Sequence, residues 1–466
     1  MAISLQTTRF QAALTGAPVR RPVSSEPIGK SLLSKWSPEV DRVLLDQATT
    51  HNAISYHLSP DDSRTALLEA IRTAKHSFHI ETFIWHNDEA GNEIVAALAA
   101  KKAEAKAAGQ EFDVKVLIDS IGLRGGSTGA KDRDVIRKLE ALGIEVLEFN
   151  SRYLSLEAMG VPITHRKLFI ADGEKFITGG RNIGNEYLLP TFEGKKGTET
   201  SWHDLLYTVH GDEAARVQRE FYRNWALAGG EIPAVMPAAV PHPTGTARVQ
   251  SIVTNPHADI FSIREAHSRA IATAQREIVA IFPYFSDDQL IQELIDAKRK
   301  NSERRAALAA RARTPQERQA ALQAVPELSI KVLLPGKREA GFEGGLFPQL
   351  NMETARQLLE AGIEVRLFDG GKVDGKEVQR FSHFKGMAID GKLLSLGSAN
   401  ADARTYKSNH ELNTLIADEQ AVSEFYAKVV EPDWSSARVL TLDTVGQASF
   451  LQRIQRKFLE AVDFLL

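Results

Sequence analysis

The 466-residue sequence predicts an α/β protein. Its expected form is two similar α/β/α sandwich domains with mixed, mostly parallel sheets, fused in one chain as a pseudo-twofold dimer. Three observations carry this expectation. Segments recur in the same order in both halves at nearly constant spacing. Within each half, apolar β-branched runs alternate with stretches of helical periodicity. A proline-rich stretch separates the halves.

Residues 1–50 read as a flexible lead. "MAISLQTTRFQAALTGAPVRRPVSSEP" carries Arg9, Arg20 and Arg21, has no acid before Glu26 and lacks the apolar block of a secretory signal. Its composition also suits an uncleaved secretion or targeting address. The first domain is expected over 51–228. The helix-like "SRTALLEAIRTAKH" (63–76) precedes the strand "HIETFIW" (79–85), then "FDVKVLID" (112–119) and "LEALGIEVLEF" (139–149). A linker over 229–246 follows, with Pro233, Pro237, Pro241 and Pro243. The second domain, 247–440, repeats the pattern in "EIVAIFPYF" (277–285), "LSIKVLLP" (328–335) and "LLEAGIEVRLF" (358–368). The later pairs lie 216 to 219 positions apart and the first pair about 199 apart. The second half therefore holds an insertion, the Arg- and Ala-rich "KRKNSERRAALAARARTPQERQAALQA" (298–324), expected to be a solvated helical hairpin or a contact for anionic groups. Residues 441–466 end in "SFLQRIQRKFLEAVDFLL", an amphipathic helix with Phe450, Ile454, Phe458, Val462 and Leu466 on one side and Arg453, Arg456 and Lys457 on the other. Such a helix lies in a membrane interface or docks on the protein's own core.

Composition removes several classes of chemistry. The sequence contains no cysteine, which excludes disulfides, thiolate catalysis and cysteine-ligated zinc. Its formal net charge of −3 shows no global basic field, so nucleic acid is not the expected partner. No apolar run approaches the roughly 18 residues of a membrane-spanning helix.

The chemistry concentrates in "THRKLFIADGEKFITGGRN" (164–182), which recurs as "SHFKGMAIDGKLLSLGSAN" (382–400). His165, Lys167, Asp172, Gly179, Gly180 and Asn182 match His383, Lys385, Asp390, Gly397, Ser398 and Asn400 at identical spacing. One His-x-Lys on a strand is a surface feature as often as a site, because alternation alone places both side chains on one face. Six specified positions repeating without a gap are not accidental. A neutral imidazole is a nucleophile available near pH 7. With two histidines over one phosphodiester, one attacks phosphorus while the other protonates the leaving alkoxide and then deprotonates the incoming alcohol or water. Lys167, Lys385, Asn182 and Asn400 are expected on the non-bridging oxygens, with Gly180 and Ser398 completing the phosphate-binding set. No metal and no cofactor is called for. Asp172 and Asp390 belong to the catalytic candidates as acceptors that fix the imidazole tautomers, although each precedes glycine, a turn signal that is the favoured reading. Thr164 and Ser382 either bond phosphate or fit a strand.

On these motifs the sequence resembles the phospholipase D superfamily with two HKD motifs, and is closest to bacterial cardiolipin synthases. The resemblance covers about residues 55 to 435 and extends to "NIGNEYL" (182–188), "FPYFSDDQL" (282–290) and "NADARTYKSNHEL" (400–412). It implies phospholipase D-like domains, His165 as nucleophile and His383 as general acid/base. It also implies an acid beside each histidine. Asp204 in "WHDLL" (202–206) and Glu411 in "NHELN" (409–413) are the aligned candidates, with an extra loop, 189–201, before the first. The aligned His203 and His410 are expected to be packing or capping groups. The implied activity is phosphatidyl transfer, two phosphatidylglycerols giving cardiolipin and glycerol. Hydrolysis to phosphatidic acid and metal-independent nuclease activity are the alternatives. The implied partners are anionic phospholipid and an alcohol or water acceptor. Phe83, Trp85, Phe282, Tyr284 and Phe285 near strand ends suit a lipid site or the sheet core. Those enzymes often begin with hydrophobic membrane segments, which this sequence lacks, so the expected place is the membrane periphery on the cytoplasmic side, with secretion as the alternative. The motif symmetry leaves the order of the two histidines and the oligomeric state open.

Overall fold

The computed structural model describes residues 47–125, 132–150, 161–194, 197–234, 245–336, 343–373 and 376–446. Nearly all of the lead, the middle of the linker and the C-terminal amphipathic stretch lie outside them.

In the first half the chain runs β1 (Thr49–His57), α1 (Pro60–Thr73), β2 (Ser77–Thr82), α2 (Glu89–Ala107), β3 (Asp113–Asp119), α3 (Arg133–Ala141), β4 (Glu145–Phe149), β5 (Leu168–Ala171) and β6 (Lys175–Gly179). It continues with α4 (Asn185–Leu188), β7 (Thr191–Gly194), β8 (Gly197–Thr200), β9 (Leu206–Gly211) and α5 (Glu213–Leu227). The second half repeats it: β10 (Ala247–Asn255), β11 (Ile260–Phe261), α6 (Ser262–Thr273), β12 (Glu277–Ile281), α7 (Asp288–Arg311), α8 (Pro315–Ala324), β13 (Ser329–Pro335), α9 (Glu343–Glu360) and β14 (Glu364–Phe368). Then come β15 (Gly370–Val373), β16 (Lys376–Gln379), β17 (Gly386–Ile389), β18 (Leu393–Gly397), α10 (Ala403–Lys407), β19 (Glu411–Ala417), α11 (Glu419–Phe425) and β20 (Arg438–Val439).

Local chemistry explains the boundaries. α1 starts where Ser59 and Asp62 form a reciprocal capping box with Pro60 in the first turn. Asp88 caps α2 through the Gly91 N–H. The insertion is a helical hairpin, in which Thr314 and Glu317 cap α8 and no residue of α8 is buried. Among the two expected readings it has the form of a solvated hairpin.

The two halves have the same strand order. Outward from the centre it is β1-β9-β6-β5-β2-β3-β4 in the first and β10-β19-β18-β17-β12-β13-β14 in the second. Antiparallel pairing of β1 with β10 fuses both into one sheet, sixteen strands among the described residues. The sheet is mixed, but its parallel share is smaller than expected. Only β2-β3-β4 and β12-β13-β14 are parallel. The motif segments return as the hairpins β5-β6 and β17-β18, and tight turns permit only antiparallel pairing.

Three apolar clusters hold the layers together. One fills each half, and a third joins them with Tyr207, Val209, Phe221 and Trp225 from the first half and Phe384, Leu394, Leu412 and Phe425 from the second. Each such fully buried side chain contributes roughly 1.5–3 kcal/mol. The Tyr207 hydroxyl crosses the divide to donate to the Leu396 carbonyl at 2.8 Å. The halves are thus one packed body, and the site between them has rigid walls.

Candidate active site

The two motif histidines sit where the halves meet, and each is held by the opposite half. The His165 N–H donates to the His410 carbonyl (2.9 Å), and the His410 N–H to the Ile163 carbonyl (2.7 Å). Likewise the His203 N–H donates to Phe381 and the His383 N–H to the His203 carbonyl, both at 2.8 Å. These short parallel bridges bring the acids into place. His165 Nδ1 lies 3.1 Å and 3.2 Å from the two Glu411 carboxylate oxygens, and His383 Nδ1 lies 2.8 Å from Asp204 Oδ2. The arrangement is crossed: the second-half acid serves the first-half histidine, and the reverse. Such a carboxylate fixes the tautomer with hydrogen on Nδ1 and leaves Nε2 with a lone pair. Among the described residues, neither Nε2 takes a hydrogen bond.

The electrostatics favour neutral imidazoles beside ionised acids. Burial, reinforced by Lys167 and Lys385, lowers His165 to about 4 against the opposing pull of Glu411. Burial and Lys385 lower His383 to about 3, with Lys167 adding to the effect and Asp204 opposing it. Each lysine thus acts on the histidine of the other half, as expected if all four surround one space. Burial alone would raise Asp204 and Glu411. The paired histidines and nearby cations outweigh it and hold both carboxyls below their ordinary values. Lys167 is pushed well down by burial and by Lys385. Lys167 and Lys385 each donate to the carbonyl of their own motif histidine at 2.7 Å.

The other predicted residues divide into two groups. Asn182 and Asn400 are buried beside the motifs. Asn182 Oδ1 accepts the Ile84 N–H at 3.3 Å, while Asn400 Oδ1 has no partner among the described residues. Gly180 and Ser398 do not present free donors as expected. Their N–H groups are bonded to the Leu205 and Leu412 carbonyls, and Ser398 Oγ donates to Glu411 at 2.5 Å. Both serve the acids: a Cβ on Gly180 would stand 2.2 Å from Asp204 Oδ2. Asp172 and Asp390 touch neither histidine. With φ of +57° and +53°, each sits in the turn of a motif hairpin. Their carboxylates collect the N–H groups of Lys75, His76 and Ser77, and of Gln275, Arg276 and Glu277. Their short side chains at a distant turn cannot reach the imidazoles, so the tautomer-fixing role falls to Asp204 and Glu411.

Thr164 gives its hydroxyl to Glu81 at 2.5 Å and is fully buried. His203 pairs with Asp433 at 2.7 Å and His410 with His257 at 2.8 Å, as packing groups behind the site. Trp85, Phe282 and Phe285 are core residues, whereas Phe83 lies 5.3 Å from the His165 ring, centroid to centroid. Sequence reasoning missed Arg166, fully buried with Nε on the Glu411 carbonyl (3.2 Å) and near Glu81 and Glu220. Its signal was visible: strand alternation points the residue between His165 and Lys167 to the opposite face, where a charge needs partners. Trp202 and Arg181 were missed as well. No group of three or more histidine or acidic side chains among the described residues is arranged to hold a metal. No helix among them is long and apolar enough to cross a membrane.

Comparison with known proteins follows the same lines. The family model described as "Cardiolipin synthase, PLD-like domain" matches residues 67–225 and 268–434, one stretch in each half. The cardiolipin synthase of Listeria monocytogenes serotype 4a (strain HCC23) is 26% identical over 426 residues, covering 90% of this chain and 75% of that protein. Cardiolipin synthase 1 of Bacillus anthracis is 24% identical over 417 residues, covering 87% and 71%. The crystal structure of phosphatidylserine synthase from Haemophilus influenzae Rd KW20 superposes with a TM-score of 0.63 at 17% identity, covering 92% of this chain and 99% of that one. With two HKD motifs meeting at the seam of a duplicated fold and a family model matched in both halves, the chain belongs to the cardiolipin synthase-like family of phospholipase D enzymes.

Proposed function

We propose that the protein transfers a phosphatidyl group through a covalent phosphohistidine, converting two phosphatidylglycerols to cardiolipin and glycerol. His165 Nε2 attacks phosphorus, the bond to the departing glycerol oxygen breaks, and His383 delivers a proton to that oxygen. A hydroxyl of the second phosphatidylglycerol then attacks phosphorus. Its proton passes to His383, the P–N bond breaks, and its electron pair returns to His165. Glu411 and Asp204 keep each Nδ1 protonated and stabilise the imidazolium that forms. Lys167 and Lys385, with the amides of Asn182 and Asn400, take the non-bridging oxygens as charge accumulates.

The observation that carries this reading is the crossed pairing of His165 with Glu411 and His383 with Asp204. It equips two imidazoles at one seam with the same tautomer, one able to attack and the other to shuttle a proton. The burial that lowers both imidazoles and keeps them neutral near pH 7 supports it too. An anionic phosphodiester raises the affinity of His383 for a proton when it binds. The relatives named cardiolipin synthase support a phospholipid donor.

The test is incubation of the purified chain with phosphatidylglycerol vesicles and resolution of the lipids. Cardiolipin with one glycerol released per molecule is expected. Phosphatidic acid as the main product replaces transfer with hydrolysis, and an unchanged lipid pool overturns the lipid reading. His165→Ala abolishes turnover, and near-parental turnover in that variant refutes the assignment of the nucleophile.

A further inference from the structure

The pseudo-twofold relation between the two motifs does not extend to their surroundings. Aromatic rings stand around the His383 imidazole, with centroids at 4.9 Å for Trp202, 6.0 Å for Tyr187 and 6.1 Å for Phe381. Trp202 also meets Tyr187 at 4.9 Å and Phe381 at 5.3 Å, both edge to face. The equivalent positions beside His165 are not aromatic. Asn409 replaces Trp202, since each precedes the histidine that bridges to the opposite motif. Thr405 replaces Tyr187, each 22 residues after its motif histidine, and Ile163 replaces Phe381, each two residues before.

Trp202 is placed deliberately. It follows the β7-β8 hairpin, the loop that the second half lacks. Its N–H donates to the Glu186 carbonyl at 2.8 Å. Its carbonyl accepts from Arg380 at 3.1 Å and from the buried Arg181 at 3.3 Å. Arg380 also donates to the Ser201 carbonyl at 3.0 Å. The backbone is therefore clamped from three sides while the indole stays partly exposed beside His383.

We propose that Trp202 is the specificity-determining residue that divides the phosphohistidine between alcohol and water. This rests on the phosphatidyl-transfer reading and concerns its second step. Whatever hydroxyl lies against His383 loses its proton there and attacks phosphorus. A water held beside aromatic faces lacks the two or three further polar partners it ordinarily has. An alcohol presents one hydroxyl to His383 and its carbon skeleton to the rings, which suits the glyceryl group of a lipid acceptor. On the His165 side one ring, Phe83, stands at 5.3 Å, and Asn409 and Thr405 at the positions matching Trp202 and Tyr187 add no aromatic wall.

The experiment uses the full chain and phosphatidylglycerol vesicles, with the ratio of cardiolipin to phosphatidic acid as readout. Trp202→Ala lowers that ratio by roughly tenfold or more, the range expected when a pocket loses one apolar wall, while Trp202→Phe stays near the parent. A merely structural role would reduce both products together and leave the ratio alone. A ratio within about twofold of the parent in an active Trp202→Ala protein overturns the proposal. If Trp202→Ala does not fold, Trp202→Leu and Phe381→Leu decide: a fall in the ratio supports the assignment, and an unchanged ratio removes it. A parent chain that forms neither product fails the transfer reading itself, whereas an active parent whose ratio ignores Trp202 fails only this inference.

Discussion

Asp204→Asn isolates the proton-shuttling side of the mechanism. The substitution keeps size and shape, and an amide oxygen still accepts the Leu205 N–H that Asp204 now receives at 2.8 Å. What is lost is the charged acceptor 2.8 Å from His383 Nδ1. A buried hydrogen bond to a charged group contributes roughly 1.5–3 kcal/mol, which is about 10- to 150-fold in rate at 1.36 kcal/mol per decade. The amide can also turn its NH2 toward Nδ1 and favour the tautomer with hydrogen on Nε2, which blocks the atom that must receive the proton, so the upper end is expected. The pH dependence has a definite sign. Asp204 opposes the burial that lowers His383, so its removal lowers the imidazole further. The protonated form then survives only at lower pH, and the alkaline limb of the kcat profile, which reports the substrate-bound enzyme, moves toward acid. Glycerol release from phosphatidylglycerol, followed across roughly pH 5–9, measures both effects. Turnover within about threefold of the parent with an unmoved alkaline limb would show that the carboxylate does not govern His383.

Gly180→Ala places a methyl on the Asp204 carboxylate and is expected to cost about 100-fold or more in turnover, with a smaller loss in thermal stability. Asp172→Ala and Asp390→Ala each release three backbone N–H groups, so denaturant titration should show a loss of roughly 1–3 kcal/mol while kcat per folded molecule stays unchanged. A selective fall in kcat would restore a catalytic role for those aspartates. His86 lies buried between Asp132 (2.8 Å) and Glu186 (3.0 Å). Burial alone would lower it, but the two carboxylates raise it to about 10. Its folded value exceeds its unfolded one, so its stabilisation is complete below about pH 6.5 and is lost as pH rises toward 10. Melting temperatures across that window should fall in the parent and fall less in His86→Gln.

Legibility of the site differed from residue to residue. His165, Lys167, His383 and Lys385 were evident because strand periodicity and identical spacing are properties of neighbouring residues. The turn role of Asp172 and Asp390 was equally local, written in an Asp-Gly pair whose left-handed backbone excludes most other residues. Ser398 looked like a phosphate ligand because its part of the motif suits one. Its hydroxyl instead faces Glu411, and that depends on how β18 pairs with β19. Arg166 carried a signal, a cation alternating into the interior, but its partners Glu81 and Glu220 come from β2 and α5.

The amino-acid sequence by itself determined the duplication, the two motifs, the helix caps and the hairpin turns, because spacing and backbone preference act over a few neighbouring residues. Only the tertiary structure decided that each acid reaches across the seam to the other half's histidine, that both halves share one sheet, and that three aromatic rings gather around His383 where Phe83 stands beside its twin. Those outcomes depend on how two distant surfaces pack, and packing is set by the summed shape and charge of many side chains, which no single stretch of sequence contains.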